Sequence, residues 1–145
     1  MSTEDINNIW AEDSRIDESN LAGELKKIPA LHNKYYTLYY KEALTVKKLR
    51  ADYKVLELEK REYYDGSMAE EDLKERGWVP FQKKVLRNDV DKYIQADKDI
   101  IRLSLKIDLH SARANFLEDI VKTLHSRNFI IKSMIDIIKF QHGEY

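Results

Sequence analysis

Residues 96–124, ADKDIIRLSLKIDLHSARANFLEDIVKTL, decide the fold. Ala96, Ile100, Leu103, Ile107, His110, Ala114, Leu117, Val121 and Leu124 recur there in alternating steps of four and three. That spacing lines one stripe of an α-helix with a heptad seam, interrupted only by His110. Ile101, Leu105, Ala112, Phe116 and Ile120 form a second apolar row beside it. A helix with two apolar stripes has to bury both, inside a bundle or between subunits.

Helix breakers are scarce on both sides of this stretch. The chain of 145 residues has four glycines (Gly23, Gly66, Gly77, Gly143) and two prolines (Pro29, Pro80). None lies between Ala30 and Asp65, and none between Phe81 and His142. Sheets need frequent tight turns built on such residues, so the chain is expected to be all-α with long helices. Toward the carboxyl end, Ser126-Arg127-Asn128 reads as a turn or kink before a last helix, Phe129 to Gln141, with Gly143 as its breaker. Phe129, Ile130, Ile131, Met134, Ile135, Ile137, Ile138 and Phe140 cover more than half of that helix's circumference. Either they complete the core of the protomer or they form an oligomerisation face.

Toward the amino end, Asn88 followed by Asp89 and Asp91 reads as the N-cap of the seam helix. A short helix is expected near Thr3–Ala11 and another after Asp17. Pro29 then opens a long helix to about Tyr64, which Gly66 ends. Tyr35, Tyr36, Tyr39, Tyr40 and Ala43 would share one face of it. Residues 65–80 form an acidic connector with room for a helical turn. It divides the chain into an N-terminal region, 1–80, and a C-terminal region, 81–145.

Charge is abundant but balanced: 25 Lys and Arg against 26 Asp and Glu, net −1. Any polyanion site therefore needs local concentration of cations. Residues 31–64 supply it, with eight basic and five acidic side chains, whereas residues 1–30 carry three and seven. Lys47, Lys48, Arg50, Lys54, Lys60 and Arg61 cluster ahead of Tyr63 and Tyr64. Cations for phosphates together with aromatic rings for bases make up a groove for single-stranded DNA. The competing reading is a solvated helix whose lysines pair with glutamates and whose tyrosines pack inward. Lys83, Lys84 and Arg87 form a second basic set.

Several chemistries are excluded. With no cysteine there are no disulfides or thiolate metal sites. No glycine-rich phosphate loop is present. His32, His110, His125 and His142 are scattered without metal-ligand spacing, and no serine sits in a nucleophile elbow. No apolar run is long enough to cross a bilayer, and the acidic, polar start does not resemble a signal peptide. These features point to a soluble, intracellular, non-enzymatic protein without metal or cofactor.

Six stretches then become informative together: Trp10 to Asp17, Lys27 to Tyr36, Glu62-Tyr-Tyr-Asp-Gly66, Lys84 to Asp89, Tyr93 to Ile100, and His125 to Lys132. Ala96-Asp-Lys-Asp99 and the run from Ser126-Arg127 to Lys132 are the most specific. In this order they resemble the UvsY family, the recombination mediators of T-even-type bacteriophages. The resemblance implies a helical protein that assembles into a ring of six or seven copies. It implies three partners: single-stranded DNA, a RecA-like phage recombinase and the phage single-strand-binding protein. It implies no catalysis, and action in the cytoplasm of the infected bacterial host. Family members place two basic residues, spaced by one, shortly before the Tyr-Tyr pair. Here the later corresponds to Lys60 and the earlier to Leu58, which is apolar, with Arg61 the neighbouring cation. Without the resemblance, a helical adaptor or a structural coiled-coil protein that does not bind DNA would account for the same pattern.

Overall fold

The computed structural model describes residues 1–143, and among them every regular element is helical. Helix α1 spans Thr3–Asp13, α2 Leu21–Asp65, α3 Glu70–Arg76, α4 Val90–Gln95 and α5 Lys98–Gln141. Two long helices, of 45 and 44 residues, dominate, as the scarcity of breakers requires.

Helix α1 starts with a capping box. The Asp5 amide donates to Ser2 Oγ at 3.1 Å, and the Ser2 amide donates to Asp5 Oδ2 at 2.9 Å. After a 3₁₀ turn over Glu18–Asn20, α2 begins at Leu21, eight residues earlier than the proline suggests. Asn20 Oδ1 caps it by accepting from the Gly23 amide at 3.2 Å. A Cβ at Gly23 would meet the Asn20 amide nitrogen at 2.3 Å, so glycine makes room for the cap. Pro29 therefore lies inside α2 rather than at its start, and the expected separate helix after Asp17 merges with it. Burial of Leu21 and Glu24 holds this first segment in place despite the missing proline N–H. Gly66, at φ +81°, ends α2 in the left-handed conformation.

The seam helix also differs from expectation at both ends. Asn88 is not its cap; it lies in a 3₁₀ turn, Arg87–Asp89, that leads into the short α4. The long helix is capped by Asp97, whose Oδ1 accepts from the amides of Asp99 (2.9 Å) and Ile100 (3.1 Å). At the other end, α5 runs unbroken through Ser126-Arg127-Asn128. Arg127 is 3% exposed, and its guanidinium donates to the carbonyls of Asp13 (2.9 Å) and Arg15 (3.0 Å) and lies 3.4 Å from Glu24. A residue engaged in this way holds the helix straight instead of kinking it. Residues 78–86, between α3 and the second 3₁₀ turn, are irregular.

The chain forms two compact units, and residue 80 is not the division between them. One unit comprises Met1–Ala43 and Ser111–Tyr145; the other is Leu44–His110. The first is built around Ile6, Tyr35, Leu117, Ile120, Val121 and Leu124. Tyr35 is fully buried and donates to Asp13 Oδ2 at 2.7 Å, while Trp10 meets its ring edge-on at 5.3 Å. Burial and the Asp13 hydrogen bond push the Tyr35 phenol well above its usual range. The tyrosine quartet divides between two faces: Tyr35 and Tyr39 pack on the core, while Tyr36 and Tyr40 are exposed. The second unit is built around Val90, Ile94 and Ile100, with Tyr53, Leu56, Tyr64 and Val85 against them. The seam positions Ile100, Ala114, Leu117, Val121 and Leu124 are buried, whereas Ile101 and Leu105 of the second row are exposed.

Candidate nucleic-acid interface

The basic residues expected to meet DNA all lie in the second unit, and they fall into three groups. Lys47, Lys48, Arg50 and Lys54 are exposed on α2, between and beside the buried Val46 and Leu49. Among the described residues, none of these four joins an ion pair, so the glutamates of the same helix do not neutralise them. Lys83, Lys84 and Arg87 are exposed on the irregular segment and the turn after it. Lys83 and Lys84 line a shallow cleft with Asp65, Gly66 and Phe81. Arg61 and Arg87 line another with Asp65, Ser67 and Val90.

Lys60 belongs to the third group, and burial removes it from the surface set. It is 4% exposed, with Nζ 2.9 Å from Asp99 Oδ2 and 3.2 Å from Asp97 Oδ2. The same ammonium lies over the Trp78 ring, 3.9 Å from its centroid. Two carboxylates and an aromatic face already satisfy this charge. Arg61 is half-exposed and pairs with Asp91 at 2.8 Å.

The tyrosine pair is held just as firmly. Tyr63 donates its hydroxyl to the Val79 carbonyl, and its ring meets Trp78 at 5.5 Å. Tyr64 donates to Asp97 Oδ2 at 2.6 Å and packs against Phe81 and Tyr93. Burial, then the bond to Asp97, pushes the Tyr64 phenol up. Burial opposes the charged form of Asp97, but the Tyr64 hydroxyl, the Ile100 amide and Lys60 outweigh it. The Asp97 carboxyl is therefore held below its usual range. Tyr63 and Tyr64 thus form the wall of an aromatic cluster under the irregular segment, rather than a pair of free rings. The signal for this was present in Asp97 and Asp99, whose acidity within an apolar seam calls for a cation.

The C-terminal apolar set, within the first unit, also divides. Ile131 is fully buried inside its own protomer, so it is not available to a second copy. Met134, Ile135 and Ile138 are half-buried. Phe129, Ile130, Ile137 and Phe140 are exposed, by 71%, 43%, 57% and 67%. Four large apolar side chains exposed over three turns of one helix exceed the scatter of single apolar residues normal on a surface.

Among the described residues no group of three or more His, Asp or Glu could hold a metal ion, and no helix is long and apolar enough to cross a membrane.

The family described as recombination, repair and ssDNA binding protein UvsY matches residues 9–144. The chain belongs to the UvsY family. Crystal structures of the bacteriophage T4 recombination mediator protein UvsY share this fold. One superposes with a TM-score of 0.83 at 22% identity, covering 99% of both chains. Another gives 0.81 at 20% identity, covering 97% of this chain and 99% of the T4 chain. None of the curated proteins matches the chain. Two of the stretches that carried the resemblance have structural work: Asp97 and Asp99 hold Lys60, and Arg127 ties α5 to the end of α1.

Proposed function

We propose that the chain is a non-enzymatic recombination mediator. It binds single-stranded DNA and promotes loading of a RecA-like phage recombinase onto strands covered by the phage single-strand-binding protein. One observation carries the reading. In a member of a recombination, repair and ssDNA binding family, Lys47, Lys48, Arg50 and Lys54 stand exposed on one helix without ion-pair partners among the described residues. Lys83, Lys84 and Arg87 add charge beside the aromatic cluster; Arg61 joins them in part. Lys60, Tyr63 and Tyr64 support this surface from within.

A few cations per protomer bind a strand weakly at physiological salt, because each phosphate contact releases counterions and is salt-sensitive. Assembly overcomes this. Copies joined through Phe129, Ile130, Ile137 and Phe140 repeat the cationic surface, and later contacts on the same strand become intramolecular. Six or seven copies arranged in a ring would wrap a strand, loosen the resident binding protein and leave a path for the recombinase.

The test is fluorescence anisotropy of a labelled oligonucleotide across a salt series. It is paired with recombinase ATPase activity on DNA coated with single-strand-binding protein. Salt-sensitive binding and a shortened lag in recombinase activity are expected. No binding at low salt removes the proposal; binding without any effect on the recombinase removes its mediator half.

A further inference from the structure

We propose that His32, Tyr36 and Tyr40 form a stacking platform for unpaired bases, in addition to the cationic residues of Leu44–His110. The inference rests on the reading that this chain binds single-stranded DNA, and it names a contact in the first unit that the sequence pattern did not reveal.

The three residues are one helical turn apart on α2, and their rings form a ladder. The His32 and Tyr36 rings are 5.9 Å apart with planes 10° from parallel; Tyr36 and Tyr40 are 6.5 Å apart at 17°. Tyr36 and Tyr40 are 48% and 54% exposed, although Tyr35 beside them is fully buried. Among the described residues neither exposed hydroxyl makes a hydrogen bond, so polar anchoring does not explain their position. At its foot the ladder meets a cleft lined by Ile28, Pro29, His32, Leu124, His125 and Asn128, where the His125 ring stands edge-on to His32 at 4.9 Å.

Two features select a nucleic acid over a protein as the occupant. The first is periodicity. Near-parallel aromatic faces repeating at a fixed step suit a ligand that is itself a row of flat rings, and stacking accepts any base. The second is charge. From Leu25 to Lys41, α2 carries no acidic side chain, while Lys26, Lys27, Lys34 and Lys41 are present, Lys27 paired with Glu24 at 3.1 Å and Lys34 with Asp13 at 2.6 Å. A phosphate backbone following the ladder meets no carboxylate of this helix segment.

The test compares binding of the full-length protein to a labelled oligothymidylate and to a strand of equal length whose central nucleotides are abasic. The wild type is expected to prefer the base-bearing strand by about tenfold. Tyr36→Ala with Tyr40→Ala should remove most of that preference, and Tyr36→Phe with Tyr40→Phe should keep it. Irradiating a complex with a 5-iodouracil strand should cross-link Tyr36 or Tyr40, which mass spectrometry reads without any substitution. Equal affinity for the two wild-type strands, or cross-links confined to other residues, overturns the platform and leaves DNA binding by the cations intact. So does an alanine variant that keeps the preference but changes the mass of the particle, since the ladder is then a contact between copies. Failure of the wild type to bind either strand overturns the platform together with the proposed function.

Discussion

The ammonium of Lys60 stands 3.2 Å from Asp97 Oδ2, with only 5% and 7% of the two side chains exposed. A buried charge of this kind depends wholly on its partner. Asp97 simultaneously caps α5 and accepts from Tyr64, so one carboxylate joins a helix start, an aromatic wall and a lysine.

Lys60→Ala should therefore act on folding before it acts on DNA. Removing one member of a buried ion pair costs on the order of 3–5 kcal/mol. Trp10 lies in the first unit and Trp78 in the second, so urea unfolding of a Trp10→Phe background reports on the second unit through Trp78. The lysine variant should shift the midpoint strongly. A stable Lys60→Ala protein with a reduced salt slope would instead return Lys60 to the DNA-contacting set.

Asp97 also makes a pH prediction. Its folded carboxyl titrates below the ordinary value of 3.8, so the stability it contributes is present above that value. It is lost as pH falls through the folded pKa. Asp97→Asn should lower stability at neutral pH and flatten the acid limb of the stability profile below about pH 4. An acid limb identical to that of the wild type would show that other carboxylates set it.

For the exposed cations, Lys47→Ala and Lys48→Ala should each leave stability nearly unchanged. If each lysine meets one phosphate, each substitution lowers the slope of log affinity against log salt by about 0.7. Unaltered slopes in both variants would move the strand to Lys83, Lys84 and Arg87.

If copies join through α5 as proposed, Phe129→Lys with Ile137→Lys should reduce the sedimenting mass while circular dichroism keeps its helical signal. Ile131→Ala should behave differently, costing about 2–5 kcal/mol because it empties a filled position in the protomer. An unchanged particle in the double lysine variant would point to another interface.

Pro29→Ala should raise the melting temperature, by restoring an amide donor to the Leu25 carbonyl inside α2 and relieving the ring's clash, with a gain of about 1–3 kcal/mol. No gain would mean that the first turns of α2 are held entirely by Leu21, Glu24 and Arg127.

What could be read from the chain beforehand follows the range of the interactions. The heptad seam and the end of α2 at Gly66 depend on neighbours within a few residues, and they are visible in order. Lys60 looked like a surface cation because the carboxylates that enclose it lie 37 and 39 residues later. The cap of α5 was expected at Asn88 and lies at Asp97, because capping depends on where the backbone turns. Arg127 sat in a triplet with the composition of a turn, yet its partners are at residues 13, 15 and 24. The exposed and buried members of the tyrosine quartet differ only by where α1 and α5 pack. The local excess of cations in residues 31–64 shows in composition, and the aromatic ladder needed coordinates.

The unit holding Tyr35 and Arg127 draws on two segments separated in sequence, whereas Leu44–His110 is contiguous. During synthesis the contiguous unit has all of its residues outside the ribosome first. The other stays open until α5 emerges, with Trp10 and Tyr35 waiting for Leu117 and Leu124. A product terminated before α5 would thus lack its hydrophobic closure, leaving Ile6, Trp10 and Tyr35 without Leu117, Ile120 and Leu124.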